Sequence, residues 1–333
     1  MNNISFYFLL FILSLSSIPG FGQETILSEK ELKQDFEIFR GALEEMHPGL
    51  YWYSSRDEMA AAFDLVQASL KGGMTNLEFF RLLSKVISKI RCGHTWVAPS
   101  EFTIERIMKK GPLLPIEVKI IEEKAYFFKN NSMQMLTIDP CQQILKGIGF
   151  SIDSIETLSR EVHPGDGWTT TGKDKTLERF FNLFYVLHIG QPDSYMLTYL
   201  DHNNVIKQEE VKAVLAKEIK STSIEREDVN ISVNFLEDQK AVLSVRSFNN
   251  WKEGNKKRKF LKELRKAFVE IESANIEKLI IDLRNNSGGV EKFGLALCSY
   301  LTQEQFHGYK QIRFKNRKFQ YRKYSKTSGA VLF

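Results

Sequence analysis

Lys278-Leu-Ile-Ile-Asp-Leu-Arg-Asn-Asn-Ser-Gly-Gly289 decides how the C-terminal third of this chain is read. Its apolar run, Leu279 to Leu283, has the length and branched aliphatic content of a buried strand. The run breaks into polar residues and two glycines, and an apolar helical pattern then extends from near Val290 to Leu301. A strand that enters a helix through a glycine turn leaves backbone N–H groups aimed into a cleft. Such groups suit an anion, a phosphate or the oxyanion of a tetrahedral intermediate. The stretch has neither G-x-G-x-x-G spacing nor a Walker lysine, which argues against a nucleotide-binding turn.

Upstream, Val233–Phe235 and Ala241–Val245 flank Glu237-Asp-Gln-Lys240, which predicts a hairpin. A helix is predicted from about Lys256 to Glu272, with Phe260, Leu264, Ala267, Phe268 and Ile271 on its inner face. Strand, helix, strand and helix then make an α/β layer. From Gly111 to about Val214 the chain reads as short β-like runs: Ile116–Ile121, Ala125–Lys129, Ile144–Ile148 and Tyr195–Tyr199. A helical segment, Leu177 to Leu187, lies among them. The region from Leu32 to about Ile107 reads as helical. Leu32, Phe36, Phe39 and Leu43 share one face, and His47-Pro48-Gly49 ends the first helix. A second helix covers roughly Arg56 to Leu70. A third runs from an N-cap at Thr75, with Glu78 three residues on, to Ile90.

At 333 residues the chain is long for one core, so two or three domains are expected. It is 43% hydrophobic and 26% charged, as in globular proteins. A net charge of +5 is modest at this length and does not point to nucleic acid. The basic run Lys310 to Lys326, interleaved with aromatics, reads as charged faces of extended strands rather than a nucleic-acid or anionic-surface patch. Ile4 to Ile18 is strongly apolar, and Gly20-Phe21-Gly22 offers small residues where a signal peptidase reads. Residues 1–22 are therefore expected to be a secretory signal cut before Gln23, which sends the mature chain to a periplasm-type compartment. No later segment is apolar enough to span a membrane. Cys92, Cys141 and Cys298 are far apart, odd in number and without metal-ligand spacing, so neither a disulfide framework nor a metal site is expected.

A second informative stretch is Ile90-Arg-Cys-Gly-His94-Thr-Trp, just past the third helix. His94, at a helix-to-loop boundary beside glycine, suits either an exposed general base or a capping or core histidine. Cys92 stands two residues away and reads as a structural thiol rather than a nucleophile.

Taken together, these motifs resemble the tail-specific (C-terminal-processing) serine peptidases. The pattern Asp-Leu-Arg-x-Asn-x-Gly-Gly resembles that family's signature, and Gly93-His94-Thr95 resembles its Gly-His-Thr motif. Glu45-Met-His-Pro-Gly-Leu-Tyr matches its N-terminal helical region, and Ile144 to Gly149 with Ser151 to Ile155 looks like its PDZ-like segment. The resemblance implies a helical domain over 23–108, a PDZ-like β-rich domain over 109–220 and an incomplete α/β (crotonase/ClpP-like) peptidase core over 221–333. It implies that His94 is the general base and that Gly288 and Gly289 offer oxyanion N–H donors. Asp282, Arg284 and Asn286 would support the turn. The implied reaction is hydrolysis of unfolded or C-terminal polypeptide in exported proteins, with no metal or organic cofactor and no nucleic acid. The alternative is a non-catalytic periplasmic protein that binds peptides in the PDZ-like groove.

Acyl transfer needs a nucleophile, which the family places after the Gly-Gly motif in a small-residue context. Ser299 lies inside a helical pattern, Ser325 in the charged run, and Ser328 has five residues after it, so no serine here is assigned the role. Ala330-Val-Leu-Phe333 reads as a strand just starting. The chain is thus expected to be truncated before its nucleophile, with exposed sheet edges and little activity.

Overall fold

The computed structural model describes residues 26–147, 149–219, 230–250, 252–253, 256–257, 259–286, 288–309 and 320–324. The expected signal 1–22, Ile148, Ser287, Ser325, Ser328, the segment 330–333 and most of the Lys310–Lys326 run lie outside those residues. The described residues fall into two compact units, 26–219 with 320–324 and 230–309.

In the first unit, α1 (Glu29–Met46), α2 (Arg56–Ser69) and α3 (Asn76–Ile90) each begin with a reciprocal capping box. The pairs are Ser28 with Glu31, Ser55 with Glu58 and Thr75 with Glu78. Each pair satisfies two N–H groups that the helix start leaves without partners. Helical spacing then puts Leu32, Phe36, Phe39, Met59, Phe63, Leu83 and Ile87 into one core. Each such side chain contributes ~1.5–3 kcal/mol by leaving water. Two short strands, β1 (Ile26–Leu27) and β2 (Met74–Thr75), pair antiparallel at its edge. A fourth helix, α4 (Glu101–Lys110), is capped by Ser100.

The β-rich part of this unit follows. It comprises β3 (Pro112–Leu113), β4 (Ile116–Ile121), β5 (Lys124–Asn130), β6 (Gln143–Gly147), β7 (Phe150–Ser151), α5 (Ile152–Val162), α6 (Thr171–Arg179) and α7 (Phe181–Phe184). After these come β8 (Ser194–Leu200), β9 (Ile206–Lys212) and β10 (Val214–Leu215). One antiparallel sheet has the order β4-β5-β6-β8-β9, with β7 added to β6, while β3 and β10 pair with each other. Two details differ from the sequence reading. The helix expected over 177–187 is instead the end of α6, then α7, then a wide turn in which Gly190 N–H donates to Tyr185 O. That turn buries Tyr185, whose hydroxyl donates to the Gly147 carbonyl. Strand β9, which shows no alternating pattern, forms an edge along β8 with only Val211 buried. Helix α3 is tied to the β-rich part: the Ser88 hydroxyl reaches the carbonyls of Arg160 and His163, and Lys173 Nζ donates to Ser88 Oγ.

In the second unit, β11 (Ile231–Leu236) and β12 (Lys240–Val245) form the expected hairpin. Asp238 and Gln239 close it with positive φ. Next come a small pair, β13 (Lys252–Glu253) with β14 (Lys256–Lys257), then α8 (Phe260–Ser273), β15 (Lys278–Asp282) and α9 (Glu291–Ser299). Helix α8 starts later than its residue pattern suggests, because 252–257 go into that extended pair. Strand β15 returns parallel to β12, so the sheet order is β11-β12-β15. Leu243, Val245, Phe260, Leu264, Phe293 and Leu297 make the core, with the Phe260 and Phe293 rings stacked 4.7 Å apart. The fold is mixed α/β.

Candidate active site

The glycine turn after β15 is built from its own side chains. Asp282, the last residue of that strand, is buried, and its carboxylate accepts from Arg284 N at 3.0 Å, Nε at 2.9 Å and Nη2 at 3.0 Å. Those hydrogen bonds, with the Arg284 and Arg246 charges, hold the Asp282 carboxyl well below the usual carboxylate range. Arg246 Nη1 lies 3.6 Å from Asp282 and donates to the Arg284 carbonyl at 3.1 Å. Asn285 takes a left-handed conformation, φ 63°. Asn286 then works in two directions: Nδ2 donates to Val245 O at 2.8 Å, and Oδ1 accepts from Gly288 N at 2.7 Å. This fixes the turn to the end of β12.

Gly288 N–H is therefore engaged inside the turn. Gly289 differs. Phe248 N donates to Gly288 O at 3.0 Å, and Val290 N donates to Phe248 O at 2.7 Å. In a planar trans peptide the N–H of Gly289 is opposed to the Gly288 carbonyl, so it points away from the Phe248 segment. A Cβ at Gly289 would collide with the Phe248 carbonyl, and its φ of 143° is itself a glycine conformation. The turn thus presents one outward amide on a backbone braced from behind.

The histidine turn lies in the first unit. Helix α3 ends on Arg91 in a left-handed conformation, and Thr95 N–H closes a turn onto Cys92 O at 3.0 Å, which leaves His94 exposed on it. Two ties come from the 163–168 segment. Gly93 N–H donates to Asp166 Oδ1 at 2.7 Å, and Gly167 N–H donates to Arg91 O at 3.0 Å. The Arg91 guanidinium sits 3.5 Å over the Trp168 ring. On the other side, His47 Nε2 and Thr95 Oγ1 are 2.9 Å apart. The Cys92 sulfur, a His94 ring nitrogen and an Asp166 carboxylate oxygen all lie within 4.8 Å of one another.

Asp166 is the functional candidate that the sequence reading missed. Its only local signal is the string His163-Pro-Gly-Asp-Gly-Trp168, an acidic residue set between glycines. Ser299, the one serine after Gly289 among the described residues, hydrogen-bonds the Ala296 carbonyl of its own helix, 2.8 Å away. Chemically, the histidine turn can take up a proton beside a carboxylate, and the glycine turn can donate to an oxyanion.

Residues 239–331 match the sequence model described as Peptidase family S41, a stretch that contains β12, α8, β15 and the glycine turn. Over that stretch the chain resembles Peptidase family S41. Among solved structures, the chain is similar to mature CPAF, with a TM-score of 0.58 and 15% identity over 81% of this chain and 58% of that one. A serine-to-alanine mutant of CPAF gives a TM-score of 0.60 at 14% identity, covering 81% and 59%. Mature CPAF complexed with lactacystin gives 0.55 at 14%, with the same coverage as the mutant. The chain therefore spans less than two thirds of those proteins, and at this identity the likeness is one of fold. A comparison with curated protein sequences found no match. The match to Peptidase family S41 lies within 239–331, and the likeness to CPAF over 81% of the chain is one of fold.

Proposed function

We propose that this chain carries the proton-transfer and oxyanion parts of a serine-type peptidase acting on unfolded or C-terminal polypeptide in exported proteins. The observation that carries this reading is the S41 match laid over a glycine turn whose Gly289 amide points outward. In this reading His94 takes the proton of the attacking hydroxyl and returns it to the leaving amine, while Asp166 stabilises the imidazolium. Gly289 donates to the oxyanion, and Gly288 joins it when the Asn286 side chain releases its N–H. An oxyanion donor of this kind is typically worth ~3 kcal/mol of barrier. The β-rich part acts as a PDZ-like module that recognises the substrate's end by strand addition, and 230–309 belongs to a crotonase/ClpP-like core. The mature protein starts at Gln23 and works in a periplasm-type compartment.

Little hydrolysis by this polypeptide is the expected outcome, because Ser299, the one serine after Gly289 among the described residues, hydrogen-bonds its own helix. The same observation favours the second reading, a protein that binds peptides without cleaving them. Incubation of the pure polypeptide with an unfolded casein-type substrate tests the first point: turnover abolished by His94→Ala would overturn the claim of inactivity. Calorimetry with peptides bearing free or amidated C-termini tests recognition. Equal or absent binding of both would remove the tail-specific reading.

A further inference from the structure

We propose that Cys92, His94 and Asp166 form a site for a borderline transition-metal cation of the Zn2+ type. The thiol, the imidazole and the carboxylate already bring one ligand atom each to within 4.8 Å of the other two. Zinc holds sulfur at about 2.3 Å and nitrogen or oxygen at about 2.0–2.2 Å, so tetrahedral ligand atoms stand about 3.3–3.8 Å apart. At most about 1 Å of closure is needed, and small side-chain adjustments of Cys92 and His94 towards the held Asp166 carboxylate supply it.

The ties that preorganise the site do not depend on a metal. Gly93 N–H occupies Asp166 Oδ1 at 2.7 Å, which orients the carboxylate and leaves Oδ2 for coordination. The bonds Gly167 N–H to Arg91 O and Thr95 N–H to Cys92 O fix both loops. Cys92 and His94 are two residues apart on one tight turn, and their ligand atoms lie within 4.8 Å of each other. A sulfur, a nitrogen and an oxygen donor suit zinc and its neighbours, whereas calcium and magnesium take oxygen ligands. Three protein ligands leave a fourth position open to water. On binding, the Cys92 thiol gives its proton to solvent and its sulfur coordinates as thiolate. Sequence spacing did not suggest this site, because the third ligand arrives on a distant loop.

One consequence rests on the peptidase reading: a bound cation occupies the imidazole lone pair that a general base needs, so micromolar zinc would inhibit. Binding itself is tested apart from hydrolysis. The full chain is titrated with Co2+ as a spectroscopic probe, and Zn2+ is then added in competition. The expected result is one equivalent of Co2+ with a thiolate-to-cobalt charge-transfer band, lost on adding Zn2+. Cys92→Ser removes the band, and His94→Gln and Asp166→Asn each weaken binding by about tenfold or more. Asp166→Asn keeps a carbonyl acceptor for Gly93 N–H, so it spares the loop. No band, or a band indifferent to His94→Gln and Asp166→Asn, overturns the site. Unmodified protein gives a second readout by mass spectrometry. Zn2+ should protect Cys92 from alkylation while the exposed Cys141 and Cys298 react at unchanged rates. Unprotected Cys92 also overturns it.

Discussion

His47 Nε2 and Thr95 Oγ1 lie 2.9 Å apart, and this contact joins two motifs separated by 48 residues. The His-Pro-Gly break that ends α1 is thereby fastened to the turn that carries His94. His47 is 6% exposed, so its ring nitrogen has little water to replace a lost partner. Thr95→Val keeps the shape and removes the hydroxyl. A destabilisation of about 1–3 kcal/mol is expected, read as a lower urea midpoint at unchanged slope. An unaltered midpoint would show that the contact carries no weight.

Asn286 braces the glycine turn through Val245 O and Gly288 N. Asn286→Ala removes both hydrogen bonds and is expected to destabilise the unit of residues 230–309 by about 1–3 kcal/mol. Amide exchange at Gly288 should quicken in the variant. Protection there equal to the parent chain would contradict the assigned bond.

At Gly289 even one methyl group meets the Phe248 carbonyl. Gly289→Ala must shift either the turn or the 246–248 segment, and a loss of about 2–4 kcal/mol is expected. Gly172, with nothing near its hypothetical Cβ, serves as the control. Equal effects of alanine at the two sites would refute the steric account.

Acid sensitivity follows from His163 and His188, whose rings are 6.3 Å apart. Burial, with the Lys173 charge nearby, pushes His163 down to about 4, and burial, with His163, Arg81 and Lys85 nearby, pushes His188 down to about 3. An unfolded chain takes up these protons near pH 6.5, whereas the folded chain resists. Stability is therefore present above pH 6.5 and is lost as pH falls towards 4. Asp35 has the opposite sign: burial, with Glu31 beside it, pushes it up to about 6, so its contribution is present below the ordinary carboxylate value and is lost as pH rises through 6. Two histidines against one carboxyl leave a net loss on the order of 2–4 kcal/mol between pH 6.5 and 4. Chemical denaturation at pH 7 and pH 4.5 measures it, and His188→Phe should shrink the difference. A midpoint that does not move with pH would dispose of the argument.

What could be read from residues alone was local. The start of α3 was legible because Thr75 and Glu78 cap each other and 3.6-residue spacing follows. The glycine turn was legible because strand, polar break and glycines are contiguous in the chain. Asp166 was not, because nothing near it in sequence records its bond to Gly93. Strand β9 was not, because Ile206-Lys-Gln-Glu-Glu-Val-Lys lacks alternation and pairs at a sheet edge. The engagement of Gly288 N–H by Asn286 was also hidden, since only coordinates tell which of two adjacent amides is already used.

Gly93 and Asp166 are 73 residues apart along the chain, so the order of synthesis enters the chemistry of the histidine turn. The capping box that starts helix α3 is closed by contacts three residues apart, whereas Ser88 near its end takes partners from residues 160–173. The turn beyond it needs a long loop closure, the slow and entropically unfavourable kind of folding event. A nascent chain that has delivered only its helical segment therefore has the cap of α3 but neither its Ser88 partners nor the bond that sets the His94 turn. The turn that carries His94 is set only once the loop bearing Asp166 has left the ribosome and folded back.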